Sequence, residues 1–231
     1  MRWLCFLLAS SAAAQAKPLT FDVAALAARR DSFAFYLNGE ERGYAVWQYE
    51  VRGSQLVFTA VSELRPVEAE SLRVVVDRST GTPVATFHRI AWSNPRSDTL
   101  LVQHDLRIDR GRVAGSRRVA TRDEPAGSAG AVRQAKSAFP PGTVLSDYGL
   151  FAAAVTNLAP GDSGVVRAYS EFGDSLFALT IVAEAPDASG VLPLRSGDFR
   201  IYVTRAATPG ARRVVKGESL DGAFRFALVQ P

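Results

Sequence analysis

Gly43-Tyr-Ala-Val-Trp-Gln-Tyr-Glu50 followed by Gly53-Ser-Gln-Leu-Val-Phe-Thr-Ala-Val-Ser-Glu63 reads as a hairpin: Ala45, Trp47, Tyr49 and Val51 alternate with Tyr44, Val46, Gln48 and Glu50. A period of two in aromatic and β-branched residues marks strands, and Arg52-Gly53-Ser54 supplies the turn between them. Farther along, the same order returns in Gly164-Val-Val-Arg-Ala-Tyr-Ser-Glu171 and Gly173-Asp-Ser-Leu-Phe-Ala-Leu-Thr-Ile-Val-Ala183. A third strand follows in each copy. Leu72-Arg-Val-Val-Val-Asp-Arg78 and Phe199-Arg-Ile-Tyr-Val-Thr-Arg205 agree in kind everywhere except at Asp77 and Thr204. A unit of this size cannot bury its own face, so the two copies are expected to complete one antiparallel β-architecture.

Working outward, strands are predicted at 72–78, 83–92, 99–109 and 112–121, with turns at Ser79-Thr-Gly81, Asn94-Pro95 and Arg110-Gly111. No helical stretch separates them, which predicts a meander and not βαβ units. A short helix is expected from Thr20 or Asp22 to Arg29. Residues 122–145, rich in Pro, Gly, Ala and Ser, read as a flexible loop. A helix over 146–159, capped by Ser146 or Asp147, places Leu150, Phe151, Ala154, Val155 and Leu158 on one side. Strands at 199–205, 212–218 and 223–229 end the chain. The expectation is one all-β domain over 17–231: a strongly curved antiparallel sheet or open barrel built from two similar halves, 17–121 and 160–231, with one packing helix.

Met1-Arg-Trp-Leu-Cys-Phe-Leu-Leu-Ala-Ser-Ser-Ala-Ala-Ala-Gln-Ala16 has the layout of a secretory signal peptide cut after Ala16, and its apolar run is too short to span a bilayer. The single cysteine, Cys5, would leave with it, removing disulfides, thiolate catalysis and Cys-ligated metals. The remainder is expected in the periplasm or secreted, without a transmembrane segment. Among 231 residues, 27 Lys+Arg stand against 23 Asp+Glu, and pairs such as Arg29-Arg30 and Arg212-Arg213 are dispersed among acids. Nucleic-acid binding would need them gathered on one face, so it is not expected.

Ile201-Tyr-Val-Thr-Arg205, Pro209, Arg212-Arg-Val-Val-Lys-Gly-Glu218 and 224–228, with Phe139-Pro-Pro-Gly142 and Leu158-Ala-Pro-Gly-Asp162, resemble a family of exported bacterial β-proteins of unknown function. The resemblance implies an all-β fold and an envelope address, and it lends no catalytic residue. This chain departs from the family in a shorter segment around 186–197.

Gly161-Asp-Ser-Gly164 copies the nucleophile sequence of trypsin-like serine peptidases, which would make Ser163 a nucleophile served by His88 or His104 and one of Asp98, Asp105 or Asp109. Val165-Val166 stand where that pattern has Gly-Pro, and Pro160-Gly-Asp-Ser-Gly164 is good turn chemistry between a helix and a strand. No catalytic residue is assigned; a serine hydrolase at Ser163 is the alternative. His88 and His104, the only two histidines, flank one loop and face each other if the hairpin folds about Arg96. With no third His or Cys in the mature chain, no metal and no cofactor is expected. Arg73 and Arg200 hold matching places in the two copies, and paired arginines can grip an anionic headgroup. Trp47, Trp92 and Tyr202 can line a lipid or sugar site, although alternating aromatics more often form core. These seven residues are the ligand-binding candidates. The expected function is non-enzymatic binding of an amphiphilic or lipid-like molecule between concave sheet and helix, with an adaptor that meets an envelope protein as a further alternative.

Overall fold

The computed structural model describes residues 16–93, 98–123, 131–204 and 212–229, which form one mixed sheet with almost no helix. Residues 1–15, read as most of a leader, Asn94-Pro95, read as a turn, and Arg205, read as the counterpart of Arg78, lie outside the described residues. The strands are β1 (Lys17–Pro18), β2 (Arg29–Leu37), β3 (Glu40–Arg52), β4 (Gln55–Leu64), β5 (Glu68–Asp77), β6 (Pro83–Trp92), β7 (Thr99–Asp109), β8 (Arg112–Thr121) and β9 (Ala131–Ala135). They continue as β10 (Val144–Leu145), β11 (Ser163–Ser170), β12 (Ser175–Ala183), β13 (Leu192–Ser196), β14 (Phe199–Val203), β15 (Val214–Ser219) and β16 (Phe224–Leu228).

Two antiparallel meanders, β11 to β16 and β2 to β9, lie side by side and join where β16 pairs with β2, Phe226 opposite Phe35. β1 and β10 both pair in parallel with β11. Among the described residues no ladder joins β9 to β11, so the sheet stays open along that seam. Local sequence explains the tight connections: Asn38 and Gly39, both at positive φ, make the two-residue turn between β2 and β3 that matches strand twist. Elsewhere glycine is needed for room. A Cβ on Gly217 would run into the ring of Phe226, which packs in the core beside Phe33 and Trp47.

Every second residue turns inward, and the register draws rows across the sheet. One row runs Trp47, Ala60, Leu72, His88, His104, Arg117. Beside it runs Tyr49, Phe58, Val74, Thr86, Leu106 and Gly115. The first row passes from apolar to charged along its length; this places a polar site inside an otherwise greasy face.

The expected elements are refined in four places. The second copy gains a strand, because β13 stands between β12 and β14, whereas β5 pairs directly with β4. The helix expected over 20–29 is a single 3-10 turn at Val23–Ala25. Lys17–Pro18 docks on β11 and Arg29 already belongs to β2, so the chain between must cover distance, and an extended path with buried Val23 and Leu26 does this better than a helix. The internal helix is shorter than read: one turn, α1 (Tyr148–Phe151), followed by a 3-10 turn at Ala153–Val155. It stops because Thr156 is extended to bridge Phe21, and the Asn157 side chain bonds both Thr20 N–H and Pro18 C=O. Within 122–145, read as loop, β9 adds to β8 and β10 adds to β11.

Candidate functional site

The concave face is filled beneath α1. Phe151 stacks on Phe58 with ring centroids 4.9 Å apart and planes at 18°, and Tyr49 donates a hydrogen bond to Phe151 C=O at 3.1 Å. Ala152, Ala153, Ala154 and Val155 are all buried behind it. A ligand between sheet and helix, as expected from sequence, therefore has side chains in its place at this level. Two features remain beside the plug: a buried polar cluster on one flank and a cleft on the other.

The cluster begins with the histidines. His88 is paired with His104 in the ladder, as a hairpin about Arg96 requires, and both are buried at 4% and 1% exposure. Their rings meet edge to face at 5.5 Å, and Phe172 covers both, at 4.9 and 5.1 Å. His88 Nε2 lies 2.5 Å from Glu70 Oε1, Ser62 donates to the other Glu70 oxygen at 2.9 Å, and His88 Nδ1 faces Asp147 Oδ2 at 4.0 Å. Glu171, with no exposed surface, accepts a hydrogen bond from Ser146 on one oxygen; its other oxygen has no partner among the described residues. Among the described residues, neither ring nitrogen of His104 has a hydrogen-bond partner.

Burial and neighbouring charge set the protonation states. Burial opposes a charge on His88, but the Glu70 hydrogen bond and the Asp147, Glu70 and Glu68 carboxylates outweigh it and raise its pKa. For Glu70 burial acts upward and is outweighed by His88 and Ser62, so its pKa is lowered; the pair is ionic. His104 is pushed down to about 3 by burial, then by the charges of His88 and Arg117, and stays neutral. Burial lifts Asp147 to about 6 and, with the Asp147 charge beside it, lifts Glu171 to about 8.

Arg117 closes the cluster toward the seam. It donates to Tyr169 OH and to Glu171 C=O and meets Asp174 Oδ2 at 2.8 Å. Tyr169 also donates to Asp174 at 2.6 Å. Partial burial acts against ionisation of Asp174, yet the hydrogen bonds from Arg117, Ser137 and Tyr169 hold it down at about 2.

On the other flank, a cleft of about 530 Å³ opens where the turns after β5 and β7 meet residues 139–144. Phe21, Ile108, Phe139 and Tyr148 form an apolar floor, and Asp109 and Arg110 stand at the rim. Tyr148 donates to Gly81 C=O across this cleft, while Asp147, its chain neighbour, faces the cluster.

Of the seven candidates, the structure brings His88 and His104 together. Trp92 sits on the inward face, its indole N–H donating to Glu68 at 2.8 Å. Trp47 shares that face but belongs to the core, packed on Phe33, Phe58 and Phe226. Arg73, Arg200 and Tyr202 occupy the outward face, since their neighbours Leu72, Ile201 and Val203 point in. Arg73 is exposed, Arg200 is held by Glu184 at 2.7 Å, and Tyr202 donates to Glu218. Ser163 begins β11, and the histidines lie under Phe172, beyond its other end; eight residues of strand, roughly 25 Å, separate them. Asp162 completes the turn by accepting from Ala159 N–H at 2.7 Å and pairing with Lys17. Sequence reading missed Glu70, Arg117, Asp147, Tyr169, Glu171 and Asp174. Glu70 carried a signal, an acid on the inward parity of Leu72, Val74 and Val76; Asp147 and Glu171, flanking loops, carried none.

Comparison with protein-family models, with curated proteins and with solved structures finds no match to this chain. No helix among the described residues is long and apolar enough to cross a membrane.

Proposed function

We propose that this chain is a non-enzymatic, exported binding protein for an amphiphilic, lipid-like molecule, and that the cleft beside the plug is its site. The observation that carries this reading is the lining: an apolar floor of Phe21, Ile108, Phe139 and Tyr148 beneath the charged rim of Asp109 and Arg110, at a volume that suits one acyl or similar chain. The leader-like start and the resemblance to exported β-proteins support the address. The cluster is a structural and electrostatic neighbour of the cleft, joined to it through 143–148.

Thermal unfolding with and without a lysophospholipid or a fatty acid tests the reading, alongside native mass spectrometry of the purified protein. A saturating amphiphile is expected to raise the melting temperature through preferential binding to the folded state. Ile108→Arg, which puts a cation on the apolar floor, is expected to abolish that rise. An unchanged melting temperature with every amphiphile and no co-purifying species would remove the proposal.

A further inference from the structure

In the buried cluster the carboxyls of Glu70, Asp147 and Glu171 share a single imidazolium, His88, and the segment that carries Asp147 is also a wall of the cleft. Glu70, on β5, is fully engaged, by His88 on one oxygen and Ser62 on the other. The remaining two acids are not. Neither Asp147 Oδ2, 4.0 Å from His88 Nδ1, nor Glu171 Oε1 has a hydrogen-bond partner among the described residues. The groups that face them bring no spare positive charge. His104 on β7 is neutral, and Glu68 on β5 adds a further acid. Arg117 on β8 is engaged by Asp174, the Tyr169 hydroxyl and the Glu171 carbonyl. Burial keeps the phenols of Tyr148 and Tyr169 protonated. Neighbouring carboxylates without a cation of their own cannot both ionise in a site of low dielectric, so the pair keeps a proton. The raised pKa values of Asp147 and Glu171 agree with this charge balance.

Asp147 sits on a short segment with few ties. Before it, β10 is two residues long and pairs with β11 at Ala168 and Tyr169; after it comes the single turn of α1. Ser146 N–H donates to Tyr169 C=O at 3.0 Å, Ser146 Oγ donates to Glu171, and Tyr148 donates to Gly81 C=O. Burial of Leu145 and Tyr148 supplies the rest of the hold. Thr143, Val144 and Tyr148 line the cleft. We propose that residues 143–148 form a proton-held strap: the proton kept by Asp147 and Glu171 holds the strap on β11, and its loss at alkaline pH frees the strap and opens the cleft wall. Of the two acids, Asp147 is the one that moves, because Glu171 follows a strand paired throughout with β12 and its carbonyl is held by Arg117. His88 keeps Glu70 when the strap leaves, so its own proton stays. Opening hydrates both carboxyls and returns them toward ordinary values, so each opening between pH 6.5 and 8 releases about one proton. Release of the strap stands on the cluster alone, whereas its effect on a ligand rests on the function proposed above.

Amide hydrogen exchange from pH 6.5 to 8, corrected for its intrinsic pH dependence and repeated in sub-denaturing urea, tests the strap. The opening equilibrium of amides in 144–148 is expected to rise about tenfold per pH unit and to be insensitive to urea, as a local opening is. Amides of β3 and β4, which exchange through global unfolding, should follow urea. Glu171→Gln is expected to remove the pH dependence in 144–148. If that variant misfolds by circular dichroism, Asp147→Asn takes its place and should move the rise to lower pH, because Glu171 loses the charge that faces it. Strap amides whose opening does not change with pH, that keep the wild-type rise in both variants, or that open only together with β3 and β4 overturn the proposal. Lysophosphatidylcholine, whose headgroup stays zwitterionic over this range, then reads the cleft. At ten times its Kd it is expected to slow exchange in 144–148 about tenfold, by binding the closed form. Binding that raises the melting temperature and leaves 144–148 no slower than β3 would detach the strap from the cleft. No binding at any pH would remove the function proposed above, and the pH dependence of exchange would still decide the strap.

Discussion

Glu171 is buried without exposure, beside a second carboxylate, with one oxygen unpartnered among the described residues. Burial and the Asp147 charge lift its pKa from 4.5 to about 8, so between those pH values the folded protein holds a proton that the unfolded chain has released. Stability contributed by this proton is complete below 4.5 and is lost as pH rises through 8, at about 1.4 kcal/mol per pH unit. His88 acts with the same sign: its pKa is raised, so its contribution is present below 6.5 and fades as pH climbs through the folded value. His104 acts oppositely, because its pKa falls to about 3 and its share is lost only as pH drops from 6.5 toward 3. Above 6.5 the first two act alone, so wild-type stability is expected to decline from pH 6.5 to 8. Glu171→Gln, which keeps the shape and removes the titration, should flatten that decline by about 1.4 kcal/mol per unit. Urea unfolding at half-unit pH intervals measures it. An identical slope in both proteins would show that Glu171 does not titrate in this range.

Among the elements, α1 is small and its contribution large. Phe151 is fully buried, stacks on Phe58, touches Tyr148 edge to face and receives Tyr49 at its carbonyl. Phe151→Ala is expected to destabilise by about 3–5 kcal/mol, since the sheet beneath cannot collapse into the space. Chemical denaturation reads this, and a cost under about 1 kcal/mol would mean that the concave face repacks freely. The residues that make this plug were legible in sequence, as the greasy side of a predicted helix, but its length was not. Asn157 donates to Pro18 C=O and accepts from Thr20 N–H, which ends the helix and joins parts of the chain that periodicity cannot relate. Strands β3 to β8 were legible for the opposite reason: neighbours in sequence are neighbours in the sheet, so alternation and turn chemistry carry nearly all the information. The pairing of His88 with His104 belongs to that local class. β9 escaped because five residues, Ala-Val-Arg-Gln-Ala, give too short a run to show a period.

At the scale of the whole molecule, the sheet ends at β9 on one side and at β11 with its two short parallel partners on the other, and side chains join what the backbone does not. Arg117 of β8 reaches Asp174, Tyr169 and the Glu171 carbonyl, all at the β11–β12 hairpin, and Ser137 adds a hydrogen bond to Asp174. This fastening was invisible in sequence because Arg117-Arg118 reads as one more basic pair dispersed on a solvated strand surface until the hairpin opposite it is known. Removing Arg117 leaves Asp174 without its cation and Tyr169 with one contact fewer. Arg117→Ala is expected to cost about 2–4 kcal/mol, below the ceiling for a fully buried pair because Asp174 keeps one-third of its side chain in water. The location of the effect discriminates more sharply than its size. If Arg117 fastens the seam, amide hydrogen exchange in Arg117→Ala should accelerate in β9, β10 and the hairpin around 170–175, while β3 and β4, far along the sheet, keep wild-type protection relative to global stability. Arg117→Lys, which retains charge but cannot span three acceptors with a planar fork, should fall between the two. Acceleration spread evenly over all strands would mean that Arg117 contributes to overall stability without holding the open edge shut.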